Sequence, residues 1–168
     1  MTFVHVGPTV LYTLGQIGEL DLLEYFDGAL VVPEEVQAEI TTQPAAVNLD
    51  SFLDSASVIT SVRPAVRERA AAALEIDPEG YQAALLGGFF DDSLEEDEPI
   101  LVVSDDRRLR ALADGMGADV TGSFGVVVRA ATQDKYLSAA AAKRIVSRMD
   151  KHGLQLTGEL RAQAIGDL

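Results

Sequence analysis

The chain has 168 residues and a formal net charge of −14, and 48% of its residues are hydrophobic. This length suits one well-buried domain, and the hydrophobic content excludes a disordered chain. No apolar run approaches the roughly 20 residues that span a bilayer, and the acidity argues against a broad, non-specific nucleic-acid surface.

Five short apolar runs predict β-strands, and four of them are rich in Val or Ile, as expected of strands that are buried on both faces. In chain order they are Phe3–Val6, Ala29–Val32, Ser57–Thr60, Ile100–Val103 and Ala118–Thr121. Helical patterns occupy Thr9–Gly15, Glu19–Phe26, Pro33–Thr41, Pro64–Leu74, Pro78–Phe90, Asp106–Met116, Phe124–Gln133, Ala139–Lys151 and Thr157–Ile165. This alternation predicts an α/β fold with a mostly parallel sheet and helices on both faces. We expect one domain over residues 1–168, ending in a helical tail over residues 139–168.

A strongly acidic run precedes the fourth predicted strand, with six acids in the eight positions Asp91–Glu98. A block of like charges is usually solvated, so we expect a loop here. A calcium loop is disfavoured because the run has neither a glycine at the turn nor a regular alternation of ligands.

Asp105 and Asp106 stand directly after the fourth predicted strand and at the start of a helical pattern. The carboxyl end of a buried strand is where α/β proteins build their sites. Helix capping needs only one side-chain acceptor, which Ser104 or Asp105 can supply. A hard divalent cation such as Mg²⁺ or Mn²⁺ would instead bind both carboxylates and activate water against a phosphodiester. The pair alone is compatible with both interpretations.

Glu39 belongs to the helical pattern that starts at Pro33, on the flank of a face formed by Val36 and Ile40. A carboxylate facing the sheet is costly to bury without a partner, so a metal ion or an arginine is expected beside it. Ser123 lies in a turn of small residues before the next helix, where it is expected either to cap that helix or to contact a phosphate.

Basic residues crowd the helix after the acid pair. Asp106 and Arg110 are four residues apart and are expected to pair. Arg107 and Arg108 are alternative candidates to guide a phosphate backbone, which arginine binds bidentately.

Residue usage points to the environment of the protein. The chain has no cysteine and begins without the basic region or cleavage site of a signal peptide, which predicts a cytoplasmic location and no membrane association. Lysine occurs only 3 times against 10 arginines, beside 27 acids. Such a surface stays hydrated in concentrated salt, where the screening length falls to about 3 Å at 1 M, and it predicts a halophilic source.

Four stretches, taken together and in order, resemble the PIN-domain family, and within it a subgroup similar to toxin-type ribonucleases. They are Val6–Leu14 with Ile17–Leu23, Val31–Ile40, Leu101–Ala113 and Gly117–Val126. These stretches match the opening strand and helix of the family, its second strand and next helix, its fourth strand with the acid pair, and its last strand and turn. The resemblance implies a three-layer α/β/α sandwich with a mostly parallel sheet of about five strands.

The resemblance also implies a cluster of about four acids that holds Mg²⁺ or Mn²⁺. The surviving candidates as catalytic and metal-binding residues are Asp105, Asp106 and Glu39. Gly7 stands where the family carries an aspartate after the first strand, and Gly80 stands where it carries a glutamate before the fourth. Glu79 is adjacent, and a one-residue shift would make it a metal ligand. Because glycine offers no side-chain ligand, the resemblance implies a nuclease site that is weakened or lost.

Two functions follow from the resemblance. The first is a metal-dependent endoribonuclease of toxin type, in which water activated by Mg²⁺ or Mn²⁺ attacks RNA. The second is an inactive interaction or regulatory module that pairs with a small, DNA-binding, antitoxin-like protein or forms a homodimer through its helical tail. A phosphoacceptor receiver domain is disfavoured because its acid pair would follow the first strand rather than the fourth.

Overall fold

The computed structural model describes residues 3–95, 100–133 and 136–151. Its strands are β1 (Phe3–Val6), β2 (Ala29–Val31), β3 (Val58–Ile59), β4 (Leu101–Val103) and β5 (Asp119–Thr121). Its helices are α1 (Pro8–Ile17), α2 (Glu34–Gln37), α3 (Ala45–Ser55), α4 (Pro64–Leu74), α5 (Tyr81–Glu95), α6 (Arg107–Gly115), α7 (Ser123–Thr132) and α8 (Ala139–Lys151). A 3-10 helix, Leu20–Tyr25, precedes β2. Within the described ranges, none of the helices combines the length and the apolarity needed to cross a bilayer.

The sheet is parallel throughout, in the order β3-β2-β1-β4-β5. The chain adds β2 and β3 on one side of β1, then returns to place β4 and β5 on the other side. The strand order therefore reverses between β1 and β4, and open α/β sheets bind ligands in the crevice at such a reversal. Gly7 follows β1 and Ser104 follows β4, so these two residues mark the crevice.

Helices cover both faces of the sheet. On one face α1 packs against α3, α7 and α8, over a large core that includes Val4, Val6 and Val103. On the other face a smaller cluster joins Val102 to Phe89 of α5 and to α6. The expected three-layer α/β/α sandwich is thereby confirmed.

The predicted helical tail begins as part of the core rather than as an appendage. Helix α8 packs against α7 and α1 and buries one face there. The buried residues are Ala142, Ile145, Val146 and Met149. The predicted helix Thr157–Ile165 lies outside the described residues.

Helix α3 is the main element that the sequence patterns do not predict. It buries only Ala45, Leu49 and Phe52, and its exposed residues include Val47 as well as polar side chains. Its position depends on distant partners, because the Asn48 side-chain amide donates to the Gly15 carbonyl at 2.7 Å. An added Cβ at Gly15 would lie 3.1 Å from Ala45, so α1 and α3 approach closely at this glycine.

Two predicted segments differ in extent. The pattern Pro33–Thr41 predicts a longer helix than the four-residue α2 that forms. The acidic run is not wholly a loop, because α5 continues through Glu95. Asp91 within that helix accepts a hydrogen bond from Nε of Arg63 at 2.9 Å, so a cation just before α4 compensates one of the acids. Residues 96–99 lie outside the described part of the chain.

Candidate functional site

The ends of β1 and β4 meet without intervening side chains. The Gly7 amide donates to the Val103 carbonyl at 2.8 Å, and the Ser104 amide donates to the Thr121 carbonyl at 2.8 Å, so the ladder continues one residue past each strand. Ser104 is fully buried, and an added Cβ at Gly7 would lie 3.2 Å from its hydroxyl oxygen. The absence of a side chain at Gly7 therefore permits this close approach.

Asp105 follows at the crevice and serves as a cap for α7. Its Oδ1 accepts the Ser123 amide at 2.7 Å, and its Oδ2 accepts the Ser123 hydroxyl at 2.5 Å. The Asp105 amide in turn donates to Oγ1 of Thr9 on α1 at 2.9 Å. Both carboxylate oxygens thus satisfy groups at the N-terminus of α7, which carries a partial positive charge. Ser123 is expected to cap this helix itself, but it is the first helical residue and a donor to Asp105 instead.

Asp106 has a different local role, as the N-cap of α6. Its Oδ1 accepts the amides of Arg108 at 2.9 Å and Leu109 at 3.2 Å. The Asp106 amide donates to the Ser104 hydroxyl oxygen at 3.1 Å. Each acid of the pair therefore caps one helix. Within the described residues Asp106 forms no ion pair with Arg110, contrary to the expected pairing.

An open cleft of about 430 Å³ lies above this end of the sheet. Its lining residues are Pro8, Thr9, Tyr12, Thr13, Glu39, Ile40, Tyr81 and Asp105. Two of the predicted acids, Glu39 and Asp105, thus share one cleft. Glu39 lies just beyond α2 and is exposed to solvent, so the expected burial toward the sheet does not occur.

The remaining predicted site residues do not line this cleft. Glu79 is exposed, and its amide donates to Oδ1 of Asp77 in the turn before α5. Arg107 and Arg108 are exposed in the first turn of α6. Ser123 reaches the site only through its bonds to Asp105.

These residues do not fit a PIN-type metal centre built from several acids. Among the described residues, no group of three or more His, Asp or Glu side chains is positioned to hold one ion. The cleft offers the two carboxylates of Glu39 and Asp105, and both oxygens of Asp105 already accept hydrogen bonds from Ser123. A divalent cation would therefore share the Asp105 carboxylate with the cap of α7 and find only one further carboxylate in the cleft.

Three residues near Asp105 and Glu39 belong to the site although the sequence patterns do not single them out. Thr9 fixes the Asp105 backbone, and Tyr12 and Tyr81 form part of the cleft wall. Thr9 and Tyr12 were detectable in principle, because they follow the first strand at the point where a parallel sheet reverses its order. Tyr81 was not detectable, because it reaches the cleft only through the packing of α5.

Comparison with known proteins gives one result. A family model described as a PIN domain matches residues 6–168, which is nearly the whole chain. No curated protein and no solved structure matches the chain.

Proposed function

The chain belongs to the PIN-domain family, and from this premise we propose that it is a toxin-like PIN domain that has lost metal-dependent ribonuclease activity. In this proposal it acts as an interaction or regulatory module. Its partner is a small antitoxin-like protein or a second copy of the chain. PIN domains in general are nuclease-like, use divalent metal ions and bind RNA.

The observation that carries the proposal is the engagement of Asp105. Each oxygen of this carboxylate accepts a hydrogen bond from Ser123, which uses two of its roughly four acceptor sites and orients it toward the N-terminus of α7. This engagement gives Asp105 a structural role that accounts for its position without a metal ion, and it supports the proposal that the carboxylate now serves the fold.

The two family positions occupied by glycine support the same conclusion. Gly7 and Gly80 provide no carboxylate, and Glu79 does not line the cleft. The two positions differ in how much room they leave for a side chain. An added Cβ at Gly80 would make ordinary contact at 3.4 Å with the Asp77 carbonyl, whereas one at Gly7 would press on Ser104 at 3.2 Å.

Restoring both acids provides the test. We expect the native protein to leave single-stranded RNA intact with Mg²⁺ or Mn²⁺, and we expect the Gly7→Asp/Gly80→Glu variant to bind Mn²⁺ roughly tenfold more tightly or better, because affinity rises with the number of charged ligands. Metal binding is measured by calorimetric titration and cleavage by gel electrophoresis of labelled RNA.

The control is the same double variant with Asp105→Asn, which removes one carboxylate charge from the restored set. Metal-dependent cleavage by the native protein that disappears in Asp105→Asn would overturn the proposal.

An active ribonuclease is the second candidate, and one observation favours it. Glu39 and Asp105 share the cleft, and Mg²⁺ is often held by one or two carboxylates together with substrate phosphates. In that case the metal ion would supply activated water, and Glu39 would be needed for cleavage.

We also propose that the chain comes from a halophilic source, on the strength of its 27 acids and scarce lysine. The melting temperature should rise by several degrees as KCl is increased from about 0.1 M to about 3 M, because salt screens the repulsion among surface carboxylates. Thermal unfolding followed by circular dichroism measures this. A flat or falling melting temperature would contradict the proposal.

A further inference from the structure

A surface groove runs along α8, between this helix and Glu19. It encloses about 700 Å³. The partly buried Leu137 and Ala141 contribute its accessible apolar surface, together with the edge of Ile145, which is otherwise buried in the core, and we call this surface the α8 groove. Four basic residues also line it: Lys143, Arg144, Arg148 and Lys151.

This concentration of cations departs from the rest of the protein. The whole chain carries a net charge of −14, yet the 13 residues of α8 hold four basic side chains and the single acid Asp150. Arg144, Arg148 and Lys151 follow a spacing of four and three residues, which places them in one stripe on the helix surface. All four basic residues of α8 are exposed to solvent.

One carboxylate already occupies part of the groove. The guanidinium of Arg148 donates to Oε1 of Glu19 at 2.6 Å and to the Ile17 carbonyl at 3.0 Å, which fixes Arg148 in place. Within the described part of the chain, Lys143, Arg144 and Lys151 form no ion pair. One arginine of the groove therefore already pairs with a carboxylate of the chain itself, and three further cations are available to a ligand.

An aromatic pair precedes the groove in the chain. Tyr136, next to Leu137, stacks on Tyr25 with ring centroids 3.8 Å apart, and the two rings remain 57% and 41% exposed. Tyrosines that are rigidly held and solvent-accessible are enriched at protein interfaces because they bury a large area at low entropic cost.

We propose that the α8 groove binds an acidic amphipathic helix of a partner protein. The apolar face of that helix would lie on Leu137 and Ala141, and its carboxylates would pair with Arg144 and Lys151. This inference rests on the binding role proposed above and assigns the chemistry of the partner. A nucleic-acid strand is less favoured, because the apolar lining that the described residues give the groove is aliphatic and offers no aromatic ring on which a base could stack.

A designed peptide tests the proposal on the full-length protein. The probe is a fluorescein-labelled amphipathic helix of about 18 residues, or five turns, with leucines on one face and glutamates on the other. A matched peptide carries lysine in place of each glutamate. We expect binding of the glutamate peptide, measured by fluorescence anisotropy, to weaken about tenfold in Arg144→Glu, since one attraction is replaced by a repulsion.

The matched control is Arg69→Glu, which reverses the charge of another exposed arginine, on α4, away from the groove. It should bind the glutamate peptide like the native protein, and both variants should keep the native melting temperature. Weaker but measurable binding at high salt is expected, because the apolar contacts remain.

Several outcomes would overturn the inference. Equal binding of the lysine peptide, or equal effects of Arg144→Glu and Arg69→Glu, would exclude the groove as an acidic-helix site. Binding of a labelled oligouridylate that is lost in Arg144→Glu, with no peptide binding, would assign the groove to nucleic acid. A dimer in sedimentation experiments that dissociates in Arg144→Glu would assign it to a second copy. RNA cleavage by the native protein would refute the proposed function while leaving the peptide result unaffected.

Discussion

Replacing Asp105 by alanine is expected to lower the free energy of unfolding by about 2–3 kcal/mol, because α7 loses a charged cap that accepts two hydrogen bonds. The Ser123 amide and hydroxyl, which now donate to Asp105, would be left at a buried helix end with no acceptor. Urea denaturation followed by circular dichroism measures the change.

The sign of this change in the free energy of unfolding distinguishes a helix cap from a member of a cluster of metal-binding carboxylates. In a cluster of mutually repelling carboxylates, removal of one acid relieves repulsion and stabilises the fold. In a helix cap, removal destabilises it. Glu39→Ala is the matched control, because Glu39 lines the same cleft but is exposed, and its replacement should change stability by no more than about 0.5 kcal/mol. An Asp105→Ala variant as stable as the native protein would show that the cap contributes little.

Gly122→Ala is expected to destabilise the protein by about 2 kcal/mol for a reason that involves the same carboxylate. The backbone at Gly122 is extended, with φ −118° and ψ −175°, so alanine adopts it without strain. An added Cβ would nevertheless lie 2.5 Å from Oδ1 of Asp105. The carboxylate must then move away from Ser123, which breaks the cap of α7.

Two further variants isolate this steric cause. Gly115→Ala, at the end of α6, places its Cβ in open space and should be neutral or slightly stabilising. In an Asp105→Ala background, Gly122→Ala should have almost no additional effect, because the atom it displaces is gone. Additive losses in that double variant would place the damage elsewhere. All four proteins are compared by urea denaturation.

Together these two substitutions bear on function as well as on stability. If both destabilise as expected, Asp105 stabilises the fold as the cap of α7, as Asp106 caps α6 in the structure. The acid at the crevice then has a structural role. This supports the proposal that binding has replaced cleavage in this chain.

The sequence alone was sufficient for most of the fold. The strand at Phe3–Val6 has the predicted bounds, and the other four match within two residues, because short Val-rich runs between helical patterns have few alternatives. Helix α3 was not predictable in the same way. Not all of its apolar residues are buried, since Val47 is exposed, and its position depends on the contact between Asn48 and Gly15, which lie 33 residues apart.

For the site, the sequence determined which residue types stand at the carboxyl ends of the strands, including Gly7, and it placed Gly80 before the helix that precedes the fourth strand. It could not decide between capping and metal binding for Asp105, because a carboxylate at a strand end suits both. Only the tertiary structure decided which donors reach its oxygens, since Ser123 arrives from another strand–helix turn. The physical reason is general: local pattern fixes periodicity and burial, whereas hydrogen-bond partners distant in sequence are chosen by packing.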